Sequence, residues 1–316
     1  MTAKPVEAVG LVRTFGDLRA VDGIDLAVDA GEIFGFLGPN GAGKSTTVRM
    51  LVTLLRPTAG TARVAGFDVV KDANAVRRSI GVALQDAAID PLMTGNELLR
   101  LQAVLHGLGS KVGVTRSNEL LERVGLTAAG DRRVGTYSGG MRRRLDLALA
   151  LIHRPTVLFL DEPTTGLDPT SRLAVWEEVR ALNDEGTTVF LTTQYLEEAD
   201  ELAGRIAIID GGRIVREGDP TTLKEQVGDP TLRIEVGDAV MIDIARSVMA
   251  TFGEERPARA GRVAIGLKDG AARLADVVRA LDEQGVPVAH VELDSPSLDD
   301  VFADATGRRL EGAETA

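Results

Sequence analysis

The chain contains no cysteine. Disulfides, thiolate zinc sites, iron–sulfur clusters and thiol nucleophiles are therefore excluded. Its three histidines, His106, His153 and His290, are dispersed, which argues against a multi-histidine metal centre. Aromatic residues amount to 3%, too few to supply rows of base-stacking platforms. Positive charge is short as well: 36 Lys and Arg stand against 47 Asp and Glu, a net charge of −11. A nucleic-acid partner is not expected on that surface. No stretch approaches the ~18–20 apolar residues of a membrane helix, and runs such as Val157–Leu160 read instead as buried strands. The first ten residues lack a basic segment followed by an apolar run. The expectation is a cytosolic chain that reaches a membrane only when another chain holds it there.

What is present is an ordinary globular balance, 44% hydrophobic and 26% charged over 316 residues. That is one large domain or two ordinary ones. From about residue 5 to 220, short β-branched runs alternate with longer amphipathic stretches, the pattern of an α/β fold with a largely parallel sheet. Buried strands are predicted at Ile33–Leu37, Ile80–Leu84, Thr156–Leu160, Thr188–Thr192 and Ile206–Asp210. Gly211-Gly212 then turns the last of these into Arg213–Glu217. Asp219-Pro220 and Gly228-Asp229-Pro230 bracket a hinge. Beyond it a β-α-β-α-β pattern places strands at Leu232–Val236, Val263–Leu267 and Val286–Leu293. Helices are expected near Ala239–Phe252 and Ala272–Gln284. The division expected is 1–225, 226–310 and a small polar tail, 311–316, that is disordered. No internal repeat relates the two larger parts.

Gly38-Pro39-Asn40-Gly41-Ala42-Gly43-Lys44-Ser45 fits G-x-x-x-x-G-K-[ST] at every fixed position. It follows an apolar strand and precedes the helix-like Thr46–Leu55. Its glycines let backbone N–H groups turn inward around phosphate oxygens, and the helix adds the positive end of its dipole. Lys44 would neutralise β- and γ-phosphate charge, the Ser45 hydroxyl would ligate Mg²⁺, and Thr46 completes the phosphate-binding set. A P-loop alone leaves kinases, GTPases and motor ATPases open. The apolar run Thr156–Leu160 ends in Asp161-Glu162, two carboxylates at the carboxyl end of an interior strand, where ligands lie in such folds. Asp161 would hold Mg²⁺, and Glu162 is placed to polarise a water attacking the γ-phosphate. No N-K-x-D guanine-reading motif is present, which disfavours a GTPase. Between these motifs Tyr137-Ser138-Gly139-Gly140-Met141, then Arg142-Arg143-Arg144, opens a further helix. A Ser-Gly-Gly turn there is a second anion-binding site or, alone, a plain helix cap.

In this order the motifs resemble the nucleotide-binding subunit of ATP-binding cassette (ABC) transporters over roughly residues 5–220. That implies a P-loop NTPase of ABC type, with a mostly parallel sheet, a helical subdomain and a small C-terminal α+β domain. It implies a head-to-tail pair of subunits sandwiching two ATP molecules, with Ser138, Gly139 and Gly140 of one facing the γ-phosphate held by Lys44 of the other. By the same resemblance Phe15 stacks on adenine, Gln85 links Mg²⁺ to the membrane partner, and Asp168 bridges the two subunits. Gln194 falls at the switch position. The partners implied are a second copy and an integral-membrane permease, placing the chain peripherally on the cytoplasmic side of the membrane.

Two positions depart from the usual pattern. Met141 replaces the signature Gln, and Gln194 stands where most relatives carry His. A Gln amide can donate to a phosphate oxygen but cannot become cationic. Both departures, with Ser297–Phe302 and Thr306-Gly307-Arg308, are similar to the daunorubicin/doxorubicin-resistance exporter branch. That resemblance implies export of a hydrophobic, drug-like or lipid-like compound. The alternative is a soluble ABC-type ATPase acting on a ribosomal or nucleic-acid partner. Against it, the chain has one cassette, no Cys for a zinc hook, and no room between Lys44 and Ser138 for a long coiled coil.

Overall fold

The computed structural model describes residues 4–84, 89–258 and 261–307. Residues 1–218 form one compact unit and residues 219–316 a second.

Two sheets build the first unit. Strands β1 (Val6–Phe15) and β2 (Leu18–Val28) form a hairpin, extended by β4 (Ala59–Val64) and β5 (Phe67–Asp68) into an antiparallel sheet ordered β2-β1-β4-β5. The sequence pattern did not foresee this sheet. Bulges interrupt the β1–β2 alternation, and the β1–β4 pairing joins distant segments such as Val6 and Val64. The central sheet matches the expected parallel one: β3 (Ile33–Leu37), β6 (Ile80–Ala83), β7 (Val157–Asp161), β8 (Thr188–Thr193) and β9 (Arg205–Asp210). Its order is β10-β9-β3-β8-β7-β6, with β10 (Arg213–Gly218) antiparallel at the edge.

Both faces of the central sheet are covered, which is why its strands read as continuous apolar runs rather than alternating ones. On one face Phe34, Phe36 and Phe159 surround Phe190, with ring centroids 5.5, 5.6 and 5.4 Å from it. These rings pack with Val6, Leu11, Ile24 and Val28 of the antiparallel sheet. On the other face Leu158, Leu160, Val189 and Leu191 share a core with Leu202 and with residues of four longer helices. These are α3 (Gly95–Leu105), α4 (Ser110–Arg123), α5 (Gly139–Ala150) and α6 (Pro169–Asp184). Shorter helices are α1 (Lys44–Leu51), α2 (Ala73–Ser79) and α7 (Leu196–Leu202). Helix α3 starts at a capping box in which Thr94 accepts from the Glu97 amide and Glu97 accepts from the Thr94 amide.

The second unit opens with α8 (Pro220–Val227), capped by Asp219 and with Pro220 at its first turn. Strands β11 (Thr231–Val236), β12 (Glu255–Arg256), β13 (Arg262–Gly266) and β14 (Val288–Asp294) form an antiparallel sheet ordered β12-β13-β11-β14. Helices α9 (Ile242–Met249) and α10 (Ala271–Glu283) share its core of Leu232, Ile234, Met249, Ile265, Val277 and Leu281. The helix expected over Ala239–Phe252 is shorter, preceded by a 3₁₀ turn at Ala239–Met241. In α11 (Leu298–Thr306) the stripe Leu298, Val301 and Phe302 is buried within the chain, and α11 packs on α8. The tail 311–316 lies outside the described residues.

Candidate functional site

The loop Gly38–Gly43 leaves the central strand β3 and delivers Lys44 as the first residue of α1. Gly43 has φ 109°, and a Cβ there would lie 2.5 Å from the Ala20 carbonyl oxygen. Only glycine tolerates both that conformation and that approach. The contact also sets the P-loop against β2, whose hairpin partner β1 ends in Phe15. Phe15 is 44% exposed, with the Arg13 guanidinium 4.4 Å from its ring centroid.

Lys44 is buried. Its Nζ donates to the carbonyls of Gly38 (2.7 Å) and Pro39 (3.1 Å) and lies 3.4 Å from Glu162 Oε1. Burial lowers its pKa below the ordinary lysine value, against the opposing pull of Glu162 and Asp161. Ser45 Oγ donates to Asp161 Oδ1 at 3.3 Å, and the Thr192 hydroxyl donates to the same oxygen. Two cis oxygens of an octahedral Mg²⁺ at its usual ligand distance sit about 2.9 Å apart. Ser45 and Asp161 are thus hard oxygen donors close to the spacing of a shared ion.

Glu162 has φ 49°, a left-handed conformation that strains a residue with a Cβ. Its amide donates to the Thr192 carbonyl (3.0 Å) and hydroxyl (3.2 Å), and its Oε2 accepts from Thr165 Oγ1 at 3.3 Å. The parallel pairing of Asp161 with Thr192 produces this arrangement, because it puts the ends of β7 and β8 side by side. Gln194 follows β8 and is half-buried.

A second group forms at the start of α5. Ser138 is its exposed N-cap, accepting from the Met141 amide at 3.2 Å, which leaves the hydroxyl hydrogen available to a ligand. Gly140 lies so close to α6 that a Cβ would come 2.5 Å from Ser171 Oγ. Ser171 in turn donates through its amide (3.0 Å) and hydroxyl (2.6 Å) to Asp168, the exposed N-cap of α6. The structure therefore gathers Lys44, Ser45, Asp161 and Glu162 into one cluster, and Ser138, Gly139, Gly140 and Asp168 into another. Gln85 lies outside the described residues.

Residues 21–165 match the ABC transporter family, and residues 218–306 match the C-terminal domain of DrrA1-3-like ATP-binding proteins. The daunorubicin resistance ATP-binding protein DrrA2 of Streptomyces coeruleorubidus is 49% identical over 99% of this chain and 98% of its own length. The chain belongs to the ABC transporter family. A more distant relative, the Nod factor export ATP-binding protein I of Burkholderia lata, is 37% identical over 98% of this chain and 100% of its own. Among solved structures, a dimeric bacterial ABC transporter cassette matches with TM-score 0.63 and 25% identity, covering 68% of this chain and 98% of that one. As an ABC cassette the chain binds and hydrolyses ATP.

Sequence motifs missed several residues that shape this ABC site. Thr192 was visible only as part of a strand. Glu198 is fully buried and its Oε1 accepts from Thr164 Oγ1 (2.8 Å) and Trp176 Nε1 (3.0 Å). Burial raises its pKa, against these hydrogen bonds. Arg143 reaches from α5 to the carbonyls around Glu162. The one signal for Glu198 was its company, the lone Trp of the chain, which does not by itself say what the indole meets.

Proposed function

We propose that this chain is the ATP-driven motor of an exporter, working as a head-to-tail pair on the cytoplasmic face of the membrane against a separate permease. The observation that carries the reading is the convergence of Lys44, Ser45, Asp161 and Glu162 at the carboxyl ends of β3 and β7. In this reading Gly38–Thr46 cradle the phosphates through backbone amides, Lys44 exchanges its Glu162 contact for phosphate oxygens, and Phe15 stacks on adenine. Ser45 and Asp161, with Gln85, would hold Mg²⁺, which when bound neutralises phosphate charge. Glu162 accepts the proton of the attacking water and Gln194 donates a neutral hydrogen bond to the γ-phosphate.

Ser138, Gly139 and Gly140 complete the site of the twin subunit, and Asp168 lies where the twins meet. Support comes from the exposed Ser138 cap and from the dimeric cassette among the structural matches. Among the described residues no helix is long and apolar enough to cross a membrane, so the reading assigns the pore to another chain. The exported compound is proposed to be hydrophobic, drug-like or lipid-like, in keeping with the resistance and export functions that relatives are named for.

A mixing experiment tests the pairing. Lys44→Ala removes one site's phosphate cation, and Ser138→Arg blocks the twin's γ-phosphate. Each variant alone is expected to be inactive. In their mixed dimer one site keeps both its Lys44 and its Ser138, so ATP hydrolysis should reappear on mixing. Mixed variants that stay inactive, or a Ser138→Arg chain as active as the parent, would contradict the composite site.

A further inference from the structure

The sequence run Arg142-Arg143-Arg144 has no part in the phosphate chemistry above, yet its central member, half-buried, reaches in behind it. Arg143 sits five residues into the helix that Ser138 caps. Its Nε donates to the Pro163 carbonyl at 2.8 Å and its Nη2 to the Asp161 carbonyl at 3.1 Å. Its Nη1 donates to the Leu84 carbonyl and to Asp146 Oδ2, both at 3.0 Å. The first two acceptors are the carbonyl oxygens of the residues on either side of Glu162. A rigid planar fork is suited to gripping several acceptors at once, which a lysine ammonium on a flexible stem cannot reproduce.

Glu162 needs such a grip. Its left-handed φ of 49° is costly for a residue with a Cβ and persists only where surrounding bonds over-determine it. Thr192 fixes its amide, and Glu198 holds the neighbouring Thr164 from α7. Arg143 adds a further hold from α5 and ties it to the strand end at Leu84.

We propose that Arg143 is a positioning residue for Glu162: by clamping the carbonyls of Asp161 and Pro163 it keeps the carboxylate aimed at the attacking water. This rests on reading Glu162 as the base. Because Arg143 shares α5 with Ser138, one helix presents Ser138 to the twin's nucleotide and holds the base of its own.

The test is a double-mutant cycle on the full chain with Arg143→Lys and Glu162→Gln, reading kcat and the affinity for a non-hydrolysable ATP analogue. Arg143→Lys is expected to lower kcat by about 10- to 100-fold, the cost of a misplaced catalytic group, and to change nucleotide affinity by less than about threefold. Added to Glu162→Gln it should lower the residual rate little further, because the two act as a unit. A Lys variant with the parent's kcat overturns the proposal, as do losses that simply multiply in the double variant. A Lys variant that does not fold, or loses nucleotide affinity in step with rate, shows a merely structural residue and also overturns it. If Glu162→Gln alone keeps the parent's rate, the failure belongs instead to the reading of Glu162 as the base.

Discussion

Lys44 and Glu162 form a buried ion pair between the two motifs that the sequence displays most openly. These residues were legible because phosphate chemistry dictates both residue type and spacing: G-x-x-x-x-G-K-S after a strand, and paired carboxylates at the end of another. Their supports were not legible, since no local pattern marks them. Arg143 meets Leu84 across 59 positions and Thr192 meets Asp161 across 31. The same holds for His153, whose ring stacks on His106 with centroids 3.8 Å apart and whose Nε2 lies 3.0 Å from the Ile80 carbonyl.

Burial, then the neighbouring His106, pushes the His153 pKa down to about 4 from 6.5, against the bond to Ile80. Between those values the unfolded chain binds a proton that the folded chain refuses. Stability from this source is whole above pH 6.5 and falls as the pH drops towards 4. His153→Gln keeps an N–H donor and cannot charge. It should lose less of its unfolding midpoint than the parent when the pH is lowered from about 7 to about 5. Equal losses in denaturant titrations at the two pH values would remove His153 from the account.

At the scale of elements, the parallel strands were readable as unbroken apolar runs because both faces of their sheet are covered. The antiparallel sheet beside them was not. Its strand β1 alternates buried and exposed residues only until bulges shift the register, and its partner β4 follows the whole P-loop helix. What joins the two sheets is a four-phenylalanine cluster around Phe190, which is fully buried. Truncating that ring opens a cavity between the layers that the rigid strands cannot collapse. Phe190→Ala should cost about 3–5 kcal/mol in unfolding free energy, measured by urea denaturation. Because β8 carries both Phe190 and the Thr192 that bonds Asp161, nucleotide affinity should weaken with it. A cost below about 1 kcal/mol would show that this face is less tightly packed than described.

For the whole molecule, Gly and Pro punctuation at Asp219-Pro220 and Gly228-Asp229-Pro230 suggested a hinge and a division after residue 225, whereas the chain divides into units after Gly218 and α8 (Pro220–Val227) fills most of that segment. Leu298, Val301 and Phe302 lie at i, i+3 and i+4 and so form an apolar stripe that its own sheet, a twin subunit or a membrane partner could cover; in the structure all three are buried within the chain. Periodicity tells which face of a helix is apolar, and only the tertiary fold tells what covers it. The proposed pairing of two chains comes from the family resemblance and not from any local pattern, because Ser138 and Lys44 would act on one nucleotide from different copies.

That pairing, with Glu162 as the base, is the central claim, and Glu162→Gln tests it most directly. The substitution keeps size and hydrogen bonding but removes the proton acceptor, leaving Lys44, Ser45 and Asp161 to bind nucleotide. The variant should hydrolyse ATP at least about 10²-fold more slowly than the parent, and in sedimentation with ATP and Mg²⁺ it should persist as a dimer that disperses when ADP replaces ATP. A monomer in the presence of bound ATP, or a parent-like hydrolysis rate, would contradict the account.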